Sequence, residues 1–215
     1  RDFRKLGAPR LYFGVNAGAM DSMVNHYTAA KRLRSDDAYT PEGRAGQRPD
    51  YAVTVYTKIL KEIYPEVPVV IGGIEASLRR LTHYDYWQDC LKPSILVESG
   101  ADWLCYGMGE RPMIELTKAI EAGRNLNDIR KIPQIGFYMD GRCRLKDAVV
   151  LNSYERCCKD KPAFAENFHV IETYANMMYP PVLVEPVGDG YVQINPTFPP
   201  ATEKEMDAVW DLPFT

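Results

Sequence analysis

Two short segments constrain the fold of this chain more than any others. They are Val67-Pro68-Val69-Val70-Ile71-Gly72-Gly73-Ile74-Glu75-Ala76-Ser77-Leu78-Arg79-Arg80 and Ala101-Asp102-Trp103-Leu104-Cys105-Tyr106-Gly107-Met108-Gly109-Glu110-Arg111-Pro112. Each is an apolar run of strand length that stops at glycines where a helical pattern begins. A strand that feeds straight into a helix is the building unit of a parallel α/β sheet. In such sheets ligands and partner domains sit at the carboxyl ends of the strands, where these glycines fall. Glycine there lets another molecule approach the backbone closely, so the two segments read as one rim of a binding crevice.

The neighbouring sequence supports this reading. Residues Tyr51 to Tyr64 place Ala52, Val55, Tyr56, Ile59, Leu60 and Ile63 on one helical stripe, with Asp50 as the expected cap and Pro65 as the stop. Strand 69–71 follows directly, and a helix from Glu75 to Leu81 is expected after it. Trp103 to Tyr106 is the next strand. Pro112 then stands in the first turn of a helix running Met113 to Ala122, with Gly123 at its C-cap. An earlier strand, Leu11 to Val15, leads to a short helix with Ser22 as N-cap beside Asp21. Residues 35–50 lack any period and read as a long loop. Residues 82–100 fit helical and extended states equally. Three strands fall short of a usual sheet, so residues 1–125 predict a partial parallel α/β domain.

The pattern changes after Asn125. Ile135 to Met139 runs through Asp140-Gly141 into Arg142 to Leu145, which predicts a hairpin. A helix is expected over Asp160 to Met178. Val182 to Glu185 and Tyr191 to Ile194 flank Gly188-Asp189-Gly190 as a second hairpin. Thr202-Glu203-Lys204-Glu205 is a capping box that opens a final helix to about Asp211. Residues 126–215 thus read as an α+β segment.

Composition excludes some classes. No apolar run nears the roughly 20 residues of a membrane span, and no signal-peptide pattern opens the chain. The chain begins Arg1-Asp2-Phe3 without methionine, so a piece of a longer protein is expected. Net charge is −3, yet residues 1–48 carry nine Lys/Arg against five Asp/Glu. Lys31, Arg32, Arg34, Arg44 and Arg48 suit a solvated loop, with a phosphate or nucleic-acid contact as the alternative. The five cysteines, Cys90, Cys105, Cys143, Cys157 and Cys158, show no CxxC or CxxxCxxC spacing. Neither a disulfide framework nor a metal site is suggested, and a reducing, cytoplasmic setting is the reading. The adjacent pair Cys157-Cys158 reads as two ordinary thiols.

Gly72-Gly73 and Gly107-Met108-Gly109 resemble dinucleotide-binding loops, but Pro112 stands where G-x-G-x-x-G needs its third glycine. Glu75 and Glu110 follow these glycines. Helix-dipole capping explains one such carboxylate, whereas a pair on matched strand ends suggests contact with a ligand or another domain. His26, His83 and His169 show no ligand spacing. Tyr84-Asp85-Tyr86-Trp87 reads as a core plug under the rim, with base or cofactor stacking as the alternative.

Several stretches together resemble one family. They are Asn16-Ala17-Gly18-Ala19-Met20-Asp21-Ser22-Met23-Val24-Asn25, Asp36 to Pro41, Gly72 to Arg80, His83 to Trp87, Gly107 to Pro112, Ile194-Asn195-Pro196, Glu205-Met206-Asp207 and Leu212-Pro213. The chain looks like the N-terminal region of YgiQ-type radical-SAM proteins over nearly its whole length. That resemblance implies a Rossmann-like domain, similar to cobalamin-binding domains, placed ahead of a radical-SAM barrel of the same polypeptide. On the barrel, a CxxxCxxC motif would hold a 4Fe-4S cluster that cleaves S-adenosylmethionine to a 5′-deoxyadenosyl radical. This chain has no such motif, so it is expected to bind none of these alone and to lack catalytic residues. Glu75 stands where cobalamin-type relatives carry histidine, and no Asp-x-His-x-x-Gly loop is present. The expected function is an accessory domain that shapes or covers the barrel's active site for a substrate the sequence does not name. Gly72, Gly73, Glu75, Ser77, Arg79, Gly107, Gly109, Glu110 and Arg111 are the expected crevice residues, with Asp21, Ser22, Tyr84, Tyr86 and Trp87 next. The alternatives are a corrinoid- or nucleotide-binding module and an RNA-contacting domain.

Overall fold

A computed structural model describes residues 2–213. Three strands, β1 (Phe13–Val15), β2 (Val69–Ile71) and β5 (Trp103–Cys105), lie side by side and parallel, as their apolar runs and glycine stops require. Between them run α1 (Ser22–His26), α2 (Ala52–Ile63), α3 (Gly73–Leu78) and α4 (Ile95–Ser99). The ambiguous residues 82–100 form a separate hairpin, β3 (His83–Asp85) with β4 (Cys90–Lys92), followed by α4.

After β5 come α5 (Glu110–Glu121), α6 (Leu126–Ile129), β6 (Ile135–Asp140), β7 (Val149–Val150), α7 (Tyr154–Lys159), α8 (Lys161–Ala175), β8 (Leu183–Val187), β9 (Gly190–Ile194) and α9 (Glu203–Trp210). The C-terminal strands join the first sheet and do not form another. The seven-stranded order is β1-β2-β5-β6-β9-β8-β7, with β5–β6, β6–β9 and β9–β8 antiparallel. One α/β sheet of Rossmann-like character therefore spans the chain, and its unfinished parallel half is completed from the C-terminal sequence.

The expected hairpin from Ile135 to Leu145 does not form. β6 pairs over Gly136 to Asp140 with β9, from Ile194 to Gly190. Residues 142–145 carry Arg142 and Arg144 and bury little, whereas every residue of β9 is buried, so β9 is the partner that removes apolar surface from water. The second expected hairpin is present, turning at Gly188-Asp189 with Gly188 at φ +56°.

Residue alternation sorts the core into two layers. Val69, Ile71 and Leu104 meet Ala52, Val53, Leu60 and Leu96 on one face. Val70, Trp103, Cys105, Ile135 and Phe137 meet Leu116, Ala119 and Ile129 on the other. Burial in the second layer pushes the Cys105 thiol up to about 12, so it remains a protonated packing group. Gly123, at φ +62°, closes α5 as its sequence position predicts.

Helix N-termini show where local reading stops. Asp21, not Ser22, caps α1 by accepting from the Met23 and Val24 N–H groups. Asp50 does not cap α2; its carboxylate meets His26 Nδ1 at 2.9 Å and accepts from the Tyr27 hydroxyl at 2.8 Å. The N-cap of α2 is Tyr51, in a left-handed conformation with no capping side-chain bond of its own.

Candidate functional site

The carboxyl edge of β1, β2 and β5 forms the rim expected from the glycines, and β9 ends beside it at Asn195-Pro196. The structure divides the expected crevice residues into two groups along this edge.

The first group is a closed scaffold. Glu75 lies in the first turn of α3 and is 1 % exposed. Its Oε2 accepts from Ser22 N at 2.8 Å and its Oε1 from Val53 N at 2.9 Å, so one carboxylate serves the first turns of α1 and α2. Ser22 Oγ accepts from Ala52 N at 3.1 Å. Arg79 pairs with Asp21 through Nη1 and Nη2, and Nη1 also donates to Glu75 O at 3.3 Å. Burial pulls the Arg79 pKa down, but Asp21 and Glu75 more than offset it, and the net shift is upward. All four side chains are buried. Three separate segments are thereby tied below the rim by charge-assisted bonds that exclude water.

Gly73 adopts φ +79°, and a Cβ there would sit 3.4 Å from Asn16 Cβ and 3.7 Å from Gly18 O. A Cβ on Gly72 would lie 3.4 Å from Cys105 O. The chain's own Asn16, Gly18 and Cys105 stand over these glycines at ordinary contact distance, so it is the positive φ of Gly73 that calls for glycine. Ser77 contributes its carbonyl, which accepts from Arg80 Nη1 at 2.7 Å.

The second group faces outward. Gly107, Glu110 and Arg111 line a groove of about 500 Å³ with Met108, Ile114 and the segment from Thr197 through α9. Gly109 is the N-cap of α5 beside it. Two residues outside the expected crevice set, Gln134 and Asn195, hold this groove in shape; the sequence marks Asn195 only as part of Ile194-Asn195-Pro196. Gln134 Nε2 donates to Tyr106 O and Met108 O, each at 3.0 Å, and its Oε1 accepts from Phe198 N at 3.1 Å. Asn195 Nδ2 donates to Arg130 O at 2.8 Å and Ile132 O at 2.7 Å, and its backbone carbonyl accepts from the Tyr106 hydroxyl. Gln134 has φ +60°, a conformation imposed by tertiary contact and invisible to pattern reading. Arg111 lies 4.8 Å from the Phe198 ring centroid and 3.6 Å from Glu205 Oε1. The described lining residues include three charged groups, Glu110, Arg111 and Glu205, among apolar walls. That composition suits holding an apolar surface and offers no nucleophile–base pair.

Two readings of surface features change. Tyr84, Asp85, Tyr86 and Trp87 do not plug the core: Tyr84 and Tyr86 are exposed, and Lys31 Nζ sits 4.7 Å from the Tyr86 ring centroid. The cluster belongs to a small hairpin outside the main sheet, which leaves its alternate side chains in solvent. Among the basic residues, Arg48 donates to Asp37 at 2.9 Å and Ala17 O at 3.0 Å, and Arg34 donates to Val24 O and Tyr27 O, each at 3.2 Å. These arginines tie the 28–50 segment to the preceding residues 17–27. Cys157 is buried and Cys158 exposed, as adjacent helical residues that point apart should be.

Among the described residues, no three His, Cys, Asp or Glu side chains converge as a metal site. The residues present do not fit a thiolate-held iron–sulfur cluster. No helix of the described residues is long and apolar enough to cross a membrane.

A family model described as Radical SAM N-terminal matches residues 1–215. The chain is 53 % identical over 218 residues to a UPF0313 protein of Porphyromonas gingivalis, covering all of this chain and 34 % of that protein. It is 49 % identical over 232 residues to one from Bacteroides thetaiotaomicron, covering all of this chain and 37 % of the relative. A Geobacter sulfurreducens UPF0313 protein is 46 % identical over 213 residues, covering 99 % of this chain and 35 % of that protein. The chain thus spans about a third of the length of the curated relatives it matches, at their N-terminal end. No solved structure matches it. On a full-length family match and this level of identity, the chain belongs to the Radical SAM N-terminal family, as the N-terminal domain of a UPF0313-type protein.

Proposed function

We propose that this domain packs the groove at its rim against the radical-SAM barrel of the same polypeptide and helps to enclose the barrel's substrate site. The observation that carries this reading is the groove itself. Its walls expose Met108 (54 %), Ile114 (51 %) and Leu212 (54 %), more clustered apolar surface than a free rim would keep in water. One wall is α9, the last helix of the chain, and the relatives are about three times as long as this chain. The remaining polypeptide is therefore tethered beside the groove, at high effective concentration. The cluster and S-adenosylmethionine that radical-SAM chemistry requires would be held by that remaining polypeptide. This chain's residues would supply a rigid wall, kept rigid by Gln134, Asn195 and the buried Asp21–Arg79 and Glu75 scaffold.

The test is a photo-crosslinking amino acid placed at Ile114 in the full-length protein, with Val150 on the far edge strand as control. Intramolecular crosslinks from position 114 to residues beyond 215, absent from position 150, are expected. Crosslinks from 114 confined to residues 1–215, or made to other molecules, would overturn the reading.

A further inference from the structure

A second recess lies away from the groove, between the start of β3 and α8. It measures about 390 Å³ and is walled by Leu81, Phe164, Phe168 and Ile171, with Arg80 and His83 lining it. Arg80 also lines an adjoining recess of about 140 Å³ beside Tyr106 and Asn195, so its guanidinium stands between two cavities.

The polar groups here are left incomplete. Arg80 Nε and His83 Nε2 are buried with no hydrogen-bond partner, and so is the hydroxyl of Thr82, which is 7 % exposed. Arg80 spends Nη1 on Ser77 O and faces the Tyr106 ring at 5.2 Å. Among the described residues, it has no carboxylate within ion-pair distance, in contrast to its neighbour Arg79. Glu172 lines the recess but is exposed and stands beyond that distance from Arg80. Water can satisfy a hydroxyl or an imidazole, but it does not neutralise a desolvated guanidinium. His83 Nδ1 lies 3.1 Å from Leu81 O and, as the donor there, leaves Nε2 as an acceptor. Burial lowers the His83 pKa, consistent with a neutral ring.

We propose that this recess binds a small organic acid, a carboxylate or phosphate monoester with an apolar body, whose anionic group pairs with Arg80. Phe164, Phe168 and Ile171 would cover the apolar body, with the His83 ring in the wall beside it. The volume lies in the range of small-molecule sites, and Arg80 Nη2, which makes no hydrogen bond among the described residues, offers a charge-assisted donor to an anion. This assignment does not rest on the barrel-docking reading, which concerns a different cavity.

Calorimetric titration of the full-length protein with benzoate, phenyl phosphate and neutral benzamide tests it. Either anion, or both, should bind more tightly than benzamide. Arg80→Gln should weaken anion binding at least tenfold, and Arg111→Gln, in the other groove, should not. Glu172→Gln should tighten anion binding, because it removes a like charge from the recess. A further readout is the His83 ring proton resonances, which should shift on adding the bound anion to the wild-type protein, so the proposal stays testable if a variant misfolds. Failure of both anions to bind, unchanged binding in a folded Arg80→Gln variant, or unmoved His83 resonances would overturn it. An acidic residue of the remaining polypeptide already seated on Arg80 would give the first of these results.

Discussion

Glu185 on β8 provides the sharpest test of how this fold treats a buried charge. The side chain is 1 % exposed; Oε2 accepts from Thr82 N at 2.8 Å, and Oε1 has no partner. Burial raises its pKa to about 7, against the opposing effect of the hydrogen bond from Thr82 N. In the unfolded chain the group would titrate near 4.3, so the two states differ by about 2.7 units, or on the order of 3–4 kcal/mol. The sign follows directly. The folded state holds the proton longer, so below about pH 4 there is no penalty. Stability then falls as pH rises from about 4.3 to about 7, and the loss is constant above that. Glu185→Gln keeps an acceptor for Thr82 N and removes the ionisation. Its amide also occupies the unpartnered position, at a pH-independent cost of about 1–3 kcal/mol. The informative quantity is therefore a difference of differences. Between pH 5 and pH 8 the wild type should lose about 2–3 kcal/mol relative to Glu185→Gln. Chemical denaturation at both pH values, followed by fluorescence of buried Trp103, measures it. Parallel pH profiles for the two proteins would refute the reasoning.

Other outcomes follow from the same contacts. Glu75→Ala should destabilise the fold by about 3–5 kcal/mol, because it strips a buried acceptor from two helix N-termini; Glu110→Ala, exposed on the groove, should change melting by less than about 0.5 kcal/mol. Gly190→Ala would push a methyl into Met139 O and the Tyr138 ring, so a loss of about 2–4 kcal/mol in thermal or chemical unfolding is expected. Burial raises the Asp37 pKa, but bonds from Arg48, Tyr39 N and Asn25 win, and the net shift is downward. Its stabilisation is therefore present above about pH 4 and fades as pH falls through the lowered value, so Asp37→Asn should flatten the acid limb of a stability profile. Leu116→Ala, fully buried between α5 and the sheet, should cost about 2–5 kcal/mol with the groove's crosslinking pattern unchanged.

By itself the sequence determined the local alphabet of this protein: strands about 69–71 and 103–105, helices expected over 51–64, 113–122 and 160–178 and found at 52–63, 110–121 and 161–175, the Gly188-Asp189 turn and the Thr202–Glu205 capping box. Each depends on contacts within a few residues, such as hydrophobic period, proline and glycine geometry, and caps. Gly107, Glu110 and Arg111, grouped in the sequence by strand-end position, which is a local property, line one groove in the structure. Only the tertiary structure decided which strands pair. β6 keeps β5 on one side, and on the other takes β9, some fifty residues on, in place of residues 142–145, because that pairing buries more apolar surface. It also decided the role of the charges. Asp50 has the residue type of an N-cap but stands one residue before the N-cap of α2 and bonds His26 and Tyr27, while Glu75 reaches backbone N–H groups 53 and 22 residues away in sequence. A carboxylate in a helix's first turn looks the same in sequence whether it meets water or two buried N–H groups. What separates Glu110 from Glu75 is burial, and burial is a sum over segments that meet only once the chain has folded.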